Sequence, residues 1–298
     1  MHIIFLILLS FLISQQSVGL PIGLSNDQII THNYYTLSYN ENHEQANWVA
    51  YKLTNDMIKG IAKRKDKFKA DIKVKNKSAQ LYDYKNSGFD RGHLCPAADM
   101  KFSQGAMDET FYMSNMSPQV PSFNRGVWKS LESIVRSWTE ENKEIYIVTG
   151  PILNNTIGSI GLNSISIPQY FYKVILDNKE PELKGIGFII ENKKADLELQ
   201  SYAVPIDKVE ELTGLDFFNL IPDKIENIIE SEVDIQKWNW KQYKSSSYNY
   251  KSSKIDTSED NRLSKSSRCL ANTKSGNRCK RKTYCSDYKC KSHKGNCY

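Results

Sequence analysis

Apolar and polar residues alternate along several short stretches of this chain, and each stretch predicts a β-strand. These stretches are rich in β-branched and aromatic residues, which pack well on a pleated surface. They lie at residues 48–53, 110–113, 145–148, 171–176, 185–190 and 201–204. From residue 123 the apolar residues recur every three or four positions instead. That period predicts an amphipathic helix over residues 123–138, with Leu131 and Val135 on its buried face.

Two more helices are predicted at residues 206–212 and 224–233. Because strands and helices follow one another without a regular β-α-β alternation, the expected fold class is α+β, with a largely antiparallel central sheet flanked by helices. The folded body is expected to span residues 45–235, after an irregular polar lead-in at 20–44. Residues 244–267 are rich in Ser, Lys, Asn and Asp and predict a polar linker.

The first 19 residues are typical of a secretory signal peptide. Their apolar run at residues 3–13 would reach only ~16 Å as a helix, against roughly 30 Å for a bilayer core. Small residues at Ser17 and Gly19 favour cleavage after Gly19. The alternative is an uncleaved anchor, since no Lys or Arg precedes the run. We expect a secreted or periplasmic protein.

Charge is divided unevenly along the 298 residues. Residues 1–235 carry 24 Lys and Arg against 30 Asp and Glu, a net charge of −6, whereas residues 236–298 carry 16 against 4, a net +12. Such a split predicts an ordinary folded body with a basic appendage that binds polyanions. The alternative is a solvated tail without a partner.

The sequence Asp90-Arg91-Gly92-His93 carries the first candidate chemistry and is expected to form a turn. A neutral imidazole can accept a proton near pH 7, so His93 is a candidate general base. Gly92 would allow a tight backbone conformation. Arg91 offers a fixed cation that matches phosphate oxygens.

Asn124, at the start of the predicted helix, offers a neutral carbonyl oxygen of the kind that suits Mg²⁺. Glu132 lies eight residues on, about two turns along the same side, where it could hydrogen-bond a metal-bound water. Alone, Asn124 would be interpreted as a helix N-cap and Glu132 as a solvated helix residue.

Together these motifs resemble the DNA/RNA non-specific endonucleases of the ββα-metal superfamily, to which endonuclease G belongs. The resemblance rests on the D-R-G-H motif at residues 90–93, an S-N-x-x-P-Q segment at 114–119, and an N-x-x-x-W-x-x-L-E helix formed by Asn124, Trp128, Leu131 and Glu132. It covers about residues 45–222 and implies a ββα-metal nuclease fold.

The resemblance also implies roles for these residues in a one-metal hydrolysis of DNA and RNA. His93 would be the general base and Asn124 the direct protein ligand of Mg²⁺, for which Mn²⁺ can substitute. The supporting groups would be Arg91, Asn115 and Glu132, with Arg64 binding phosphate from the basic stretch at residues 59–77. Contacts through phosphates explain low sequence preference. Cys95 lies two residues after His93, which makes it a candidate thiol nucleophile. The competing interpretation is a free buried thiol.

The last segment, residues 268–298, holds five of the six cysteines. Cys269, Cys279, Cys290 and His293 would complete a tetrahedral set for structural Zn²⁺. Disulfides are the competing interpretation, because thiols tend to oxidise outside the cytoplasm. The expected role of the segment at residues 268–298 is retention of nucleic acid, through Arg278, Lys280, Arg281 and Lys282.

The sequence therefore predicts an exported, Mg²⁺-dependent, sugar-non-specific endonuclease with a basic Cys/His module. One alternative is a catalytically inactive nucleic-acid-binding protein on the same fold. Another is an extracellular adhesin that uses the tail to bind a partner other than nucleic acid.

Overall fold

The computed structural model describes residues 18–23, 27–76, 78–179 and 183–243, together with the backbone of 267–268 and 282–283. The chain divides into two compact units, Met1–Lys244 and Ser245–Tyr298. In the second unit the described backbone forms a short antiparallel pair between Ser267–Arg268 and Lys282–Thr283. All elements named below belong to the first unit.

Nine strands are described in the first unit. They are β1 Gln28–Thr31, β2 Thr36–Asn40, β3 Gln45–Thr54, β4 Asp90–His93, β5 Met116–Gln119, β6 Glu144–Ile160, β7 Ile165–Asp177, β8 Lys184–Glu191 and β9 Ala203–Val204. Seven form one sheet in the order β1-β2-β3-β6-β7-β8-β9. Every neighbouring pair in it is antiparallel, as the sequence predicted. Strands β4 and β5 form a separate antiparallel pair.

The helices lie between and after these strands. They are α1 Asn55–Ile58, α2 Leu81–Tyr84, α3 Gln104–Glu109, α4 Pro121–Phe123, α5 Lys129–Asn142, α6 Ile206–Thr213 and α7 Asp223–Ser231. A π-helical turn, Asn124–Trp128, joins α4 to α5, and Gly126 within it leaves helical geometry at φ −103° and ψ −110°. The predicted helix at 123–138 is therefore present, extended at both ends and interrupted near its start.

Both faces of the seven-stranded sheet are covered by apolar side chains. On β3, Val49 and Tyr51 pack into the same core as Leu131 of α5, whereas Trp48 and Ala50 pack into the core that holds Val209 of α6. Successive side chains of a strand point to opposite faces, so one strand serves both cores. A sheet covered on both faces explains why its strands read as nearly continuous apolar runs.

The expected irregular lead-in at residues 20–44 was wrong, because it contains β1 and β2. The polar composition of the segment concealed β2, in which Thr36 and Ser38 are almost fully buried. The packing also continues past residue 235. Trp238 lies 4.5 Å from Trp138, centroid to centroid, and is 4% exposed.

The predicted strand at residues 110–113 was also wrong. Thr110 ends α3, with its hydroxyl donating to the Met107 carbonyl at 2.7 Å, and a 3₁₀ turn occupies Met113–Asn115. Phe111 and Met113 are buried because they anchor this turn, so their apolar character reflects burial and not strand pairing. The paired strand begins three residues later, at Met116.

No helix within the described part of the chain is long and apolar enough to cross a bilayer.

Candidate active site

Strand β4 carries the D-R-G-H motif, which was predicted as a turn. It pairs with β5 so that Gly92 lies opposite Ser117 and His93 opposite Met116. Gly92 is needed for space and not for an unusual backbone angle. A Cβ atom there would lie 2.1 Å from the side chain of Gln119, so any larger residue would have to displace that buried side chain.

Beside β4 lies an open pocket of ≈ 660 Å³, whose other walls come from α5, the π turn and the loop after α1. Five basic and three acidic residues line it, which gives a local positive excess on a body of net negative charge. The pocket gathers five of the residues predicted for the site, His93, Arg91, Arg64, Asn124 and Glu132.

His93 lies at the wall of this pocket and is 7% exposed. Its ring meets Phe111 edge-on at 4.9 Å and Phe68 at 5.7 Å between centroids. Burial, together with the positive charges of Arg64 and Arg91, lowers the pKa of His93 to about 3. Its Nε2 is buried and has no hydrogen-bond partner within the described residues. The imidazole is neutral at physiological pH, which is the form that can accept a proton.

Two arginines are held over aromatic rings beside His93. The guanidinium of Arg91 lies 4.2 Å from the centre of the Phe68 ring, and that of Arg64 lies 5.2 Å from Phe111. Arg64 also pairs with Asp66 at 2.7 Å through an exposed contact, which contributes little stability. Stacking leaves the guanidinium edges available for phosphate oxygens.

Asn124 is oriented by Asp90 across the pocket. Its Nδ2 donates to Asp90 Oδ2 at 2.8 Å, and the structure records no donor to its Oδ1 from the described residues. Arg125 donates to both oxygens of the same carboxylate, at 2.8 and 2.6 Å. Burial raises the pKa of Asp90, but the hydrogen bonds from Arg125 and Asn124 and the positive charge of Arg125 outweigh it, so the pKa is lowered overall. A fixed amide with an uncommitted carbonyl oxygen fits a hard cation.

The alternative interpretation of Asn124 as a helix N-cap was wrong. Its φ of −56° and ψ of −49° are helical, whereas an N-cap residue has extended backbone angles. Pro121 starts the helical segment three residues earlier. A π turn is often found at functional positions, and here it begins at Asn124, the candidate metal ligand.

Glu132 lines the same pocket from the first turn of α5. Burial raises the pKa of Glu132 to about 7, although the charges of Arg136 and Lys173 oppose that shift. Asn124 and Glu132 therefore line the same pocket, as their eight-residue spacing along one side of a helix predicted. A carboxylate and an amide oxygen at one pocket form a donor set that fits Mg²⁺.

Arg136 is a pocket residue that the sequence reasoning missed. Its Nη1 donates to Asp99 Oδ1 at 2.8 Å, and Tyr51 donates to the other oxygen of Asp99 at 2.9 Å. This buried network fixes Arg136 one turn beyond Glu132. The four-residue spacing between Glu132 and Arg136 was the available signal, because such residues are neighbours on a helix.

Asn115 does not line the pocket, although it was grouped with the catalytic residues. It is fully buried, and its Oδ1 accepts from the Cys95 backbone N–H at 2.9 Å. Its Nδ2 donates to the carbonyls of Cys95 and Thr110, at 2.9 and 2.8 Å. With every polar atom committed, Asn115 is a positioning residue that holds the backbone after His93.

The thiol of Cys95 lies outside the pocket and is fully buried. Burial raises the pKa of the Cys95 thiol well above its usual range. Because a nucleophilic cysteine needs a thiolate and access to substrate, the geometry favours the free buried thiol over the nucleophile.

The predicted residues of the tail lie outside the described part of the chain. They are Cys269, Cys279, Cys290, His293, Arg278, Lys280 and Arg281, and only the backbone of Lys282 is described. The signal segment at residues 1–17 and most of the linker at 244–267 also lie outside it.

Comparison with known proteins identifies relatives across most of the body. The model of the family described as DNA/RNA non-specific endonuclease matches residues 15–224. Nuclease C1 of Cunninghamella echinulata var. echinulata is 40% identical over 202 residues, covering 62% of this chain and 80% of the relative. The mitochondrial endonuclease G of Homo sapiens is 36% identical over 214 residues, with 67% and 71% covered.

A solved structure shares the fold. A chain in the crystal structure of the EndoG/EndoGI complex superposes with a TM-score of 0.65 at 32% sequence identity. The match covers 71% of this chain and 93% of that chain. It confirms the predicted α+β nuclease fold for the first unit.

Proposed function

Because this chain belongs to the DNA/RNA non-specific endonuclease family, we propose that it is an exported endonuclease that hydrolyses phosphodiester bonds of DNA and RNA. His93 would act as general base, with one divalent cation held at Asn124. The observation that carries the proposal is the neutral His93 ring between two stacked arginines at the pocket wall.

His93 would remove a proton from the water that attacks phosphorus. Its depressed pKa keeps the acceptor form populated at neutral pH. Placement between Phe68 and Phe111 fixes the ring plane, so that the acceptor needs no reorientation. General base catalysis of this kind contributes typically 10²–10⁴-fold in rate.

Asn124 and Glu132 would hold the cation, Asn124 through its carbonyl oxygen and Glu132 through an intervening water. We expect Mg²⁺, with Mn²⁺ able to substitute, because both are hard ions that accept oxygen ligands. When bound, the ion supplies positive charge that stabilises the phosphorane-like transition state and the leaving oxygen. Asp90 keeps the Asn124 carbonyl turned toward it through the 2.8 Å bond to Nδ2.

Arg91, Arg64 and Arg136 would bind phosphate oxygens along the pocket. Contacts to phosphate read neither the base nor the sugar, which would account for an enzyme that accepts both DNA and RNA. Buried ion pairing to Asp99 would keep Arg136 in place while substrate enters.

The test is digestion of a supercoiled plasmid and of a structured RNA, by the full chain, with Mg²⁺ or with EDTA. Wild type should nick and degrade both with Mg²⁺ alone, and His93→Ala should lose this activity while its circular dichroism spectrum is unchanged. Binding without cleavage by wild type would support the inactive binding protein instead. Neither binding nor cleavage would support the adhesin.

The tail at residues 268–298 would retain nucleic acid after cutting, through Arg278, Lys280, Arg281 and Lys282. Zinc bound by Cys269, Cys279, Cys290 and His293 is the proposed staple, and disulfides are the alternative. Metal analysis combined with thiol mapping under denaturing conditions separates them, since a protein without zinc in which Cys269, Cys279 and Cys290 all form disulfides would exclude zinc. Sequencing the amino terminus of secreted protein tests cleavage after Gly19.

A further inference from the structure

Three carboxylates lie close together on α6 and α7. These helices pack on the face of the sheet opposite to α5. Asp207 and Glu210 lie one turn apart on α6, and Glu230 lies on α7. One carboxylate oxygen of each residue lies within 4.8 Å of the corresponding oxygens of the other two. None of the three takes part in the pocket around His93.

Glu230 is the unusual member of this group. It is only 5% exposed, and its Oε1 is buried without a hydrogen-bond partner among the described residues. Burying an unpaired carboxylate is costly unless an opposite charge compensates for it. Burial, and then the negative charges of Glu210 and Glu226, raise the pKa of Glu230 to about 9.

The protein supplies no compensating cation in the described part of the chain. No lysine or arginine there forms an ion pair with Asp207, Glu210 or Glu230, and the neighbouring Lys208 pairs with Glu211 at 2.6 Å. Glu226, one turn before Glu230 on α7, adds a further negative charge, and its Oε1 is also buried without a partner. The carboxyl groups thus lie close together without a Lys or Arg partner in the described part of the chain.

The group is also held in position. Glu210 Oε1 accepts from the Phe217 backbone N–H at 2.7 Å, which fixes that carboxylate between α6 and the loop that follows it. Asp207 is exposed, so the group opens to solvent on one side. A bound ion could therefore exchange with solvent and complete its coordination with water.

We propose that Asp207, Glu210 and Glu230 form a second metal site, which binds Ca²⁺ in preference to Mg²⁺. Oxygen-only donors suit hard cations and not zinc or copper. Ca²⁺ takes about six to eight oxygen ligands, whereas Mg²⁺ keeps most of its waters and is usually held by only about one or two carboxylates. A group of three carboxylates therefore favours Ca²⁺, which would join α6 to α7.

The experiment is thermal unfolding of the full chain in EDTA and in CaCl₂. The melting temperature of wild type should rise by about 5 °C once calcium exceeds the dissociation constant by about 100-fold. Asn124→Ala removes the predicted magnesium ligand and should show the same rise, which would place the calcium response outside the catalytic pocket. Glu211→Gln is the matched control on α6, because that residue is exposed and pairs with Lys208, and it too should keep the rise.

Glu230→Gln should lose the calcium-induced rise in melting temperature and, in EDTA, unfold no lower than wild type, because Gln keeps the shape of Glu and replaces a buried carboxyl group whose Oε1 has no partner among the described residues. If Glu230→Gln does not fold, the exposed Asp207→Asn is the test, and it should also lose the rise. A full calcium response in either variant would overturn the site. So would a wild type that shows no response up to about 10 mM calcium, roughly ten times the dissociation constant of about 1 mM at the weak end of biological calcium sites.

Discussion

Asn124 and Asp90 come from separate parts of the chain, 34 residues apart, and are joined by one hydrogen bond of 2.8 Å from Nδ2 to Oδ2. Asp90 precedes the candidate base by three residues on β4, and Asn124 begins the π turn. The bond therefore couples the strand that carries the base to the helical segment that presents the metal ligand. It also determines which end of the Asn124 amide faces the pocket.

Asp90→Ala should consequently weaken metal use more than it weakens folding. Without the acceptor, the Asn124 amide can turn, and partners of this kind typically change metal affinity or activity by about 10–100-fold. Plasmid nicking measured against Mg²⁺ concentration should shift to higher concentration. Arg125→Ala is the comparison, because it removes only the ion pair of a side chain that is 71% exposed, and it should shift the magnesium requirement less. Equal shifts in the two variants would contradict the orienting role.

Asn115→Ala should destabilise the protein, because it leaves the buried Cys95 N–H and two carbonyls without partners. Unsatisfied buried polar groups cost about 1–3 kcal/mol each, so a loss on the order of 3 kcal/mol is expected from urea unfolding. The remaining folded enzyme should show a lower kcat, because the backbone after His93 is no longer held. Its half-saturating Mg²⁺ concentration should stay at the wild-type value, which distinguishes Asn115 from a metal ligand.

The pKa of His93 predicts how stability depends on pH. A histidine whose pKa falls on folding, from about 6.5 to about 3, stabilises the fold above pH 6.5 and loses that contribution as pH decreases toward 3. Between pH 7 and pH 5, wild type should therefore lose about 2 kcal/mol more than His93→Asn does. Urea unfolding at both values measures the difference. Parallel losses in both proteins would mean that the imidazole titrates normally in the folded state.

The pKa of Glu132 makes stability change with pH in the opposite direction. Its pKa is raised on folding to about 7, so its ionisation opposes folding once the pH exceeds the ordinary value. Glu132→Gln should accordingly melt at a higher temperature than wild type at pH 8 in EDTA, and should need more Mg²⁺ for cleavage. The thermal difference should shrink as the pH falls and vanish by about pH 3.5, where the carboxyl is largely protonated in both states. A variant that melts lower at pH 8 would contradict the assignment.

Several site residues could be found from the sequence because they belong to short local patterns. His93 and Arg91 share one motif, and Glu132 follows Asn124 at helical spacing, so local periodicity sufficed. Asp99 and Arg136 could not be paired in this way, because their contact joins positions 37 apart and depends on the packing of α5 against the sheet. The hydrogen bonds of Asn115 are similarly invisible before β4 and β5 are brought together.

The strands that the sequence did not predict are short or contain polar residues that are buried. Strand β2 buries the polar residues Thr36 and Ser38, and its alternation over Thr36–Asn40 is too short to stand out within a polar segment. Strand β4 is four residues long and contains Gly92, which weakens any strand signal. The long central strands β6 and β7 were recognised because both of their faces are apolar, and only their lengths were underestimated.

Arg91 stacked on Phe68, and Arg64 stacked on Phe111, are ordered before any nucleic acid arrives. A free arginine loses rotamer entropy when it closes on a phosphate, at about 0.5–1.5 kcal/mol for each immobilised side chain. Here folding has already ordered both guanidinium groups, so the entropy loss on association is reduced. The aromatic rings around the base thereby contribute to substrate capture without touching the substrate, by limiting the conformations of the arginines that would bind it.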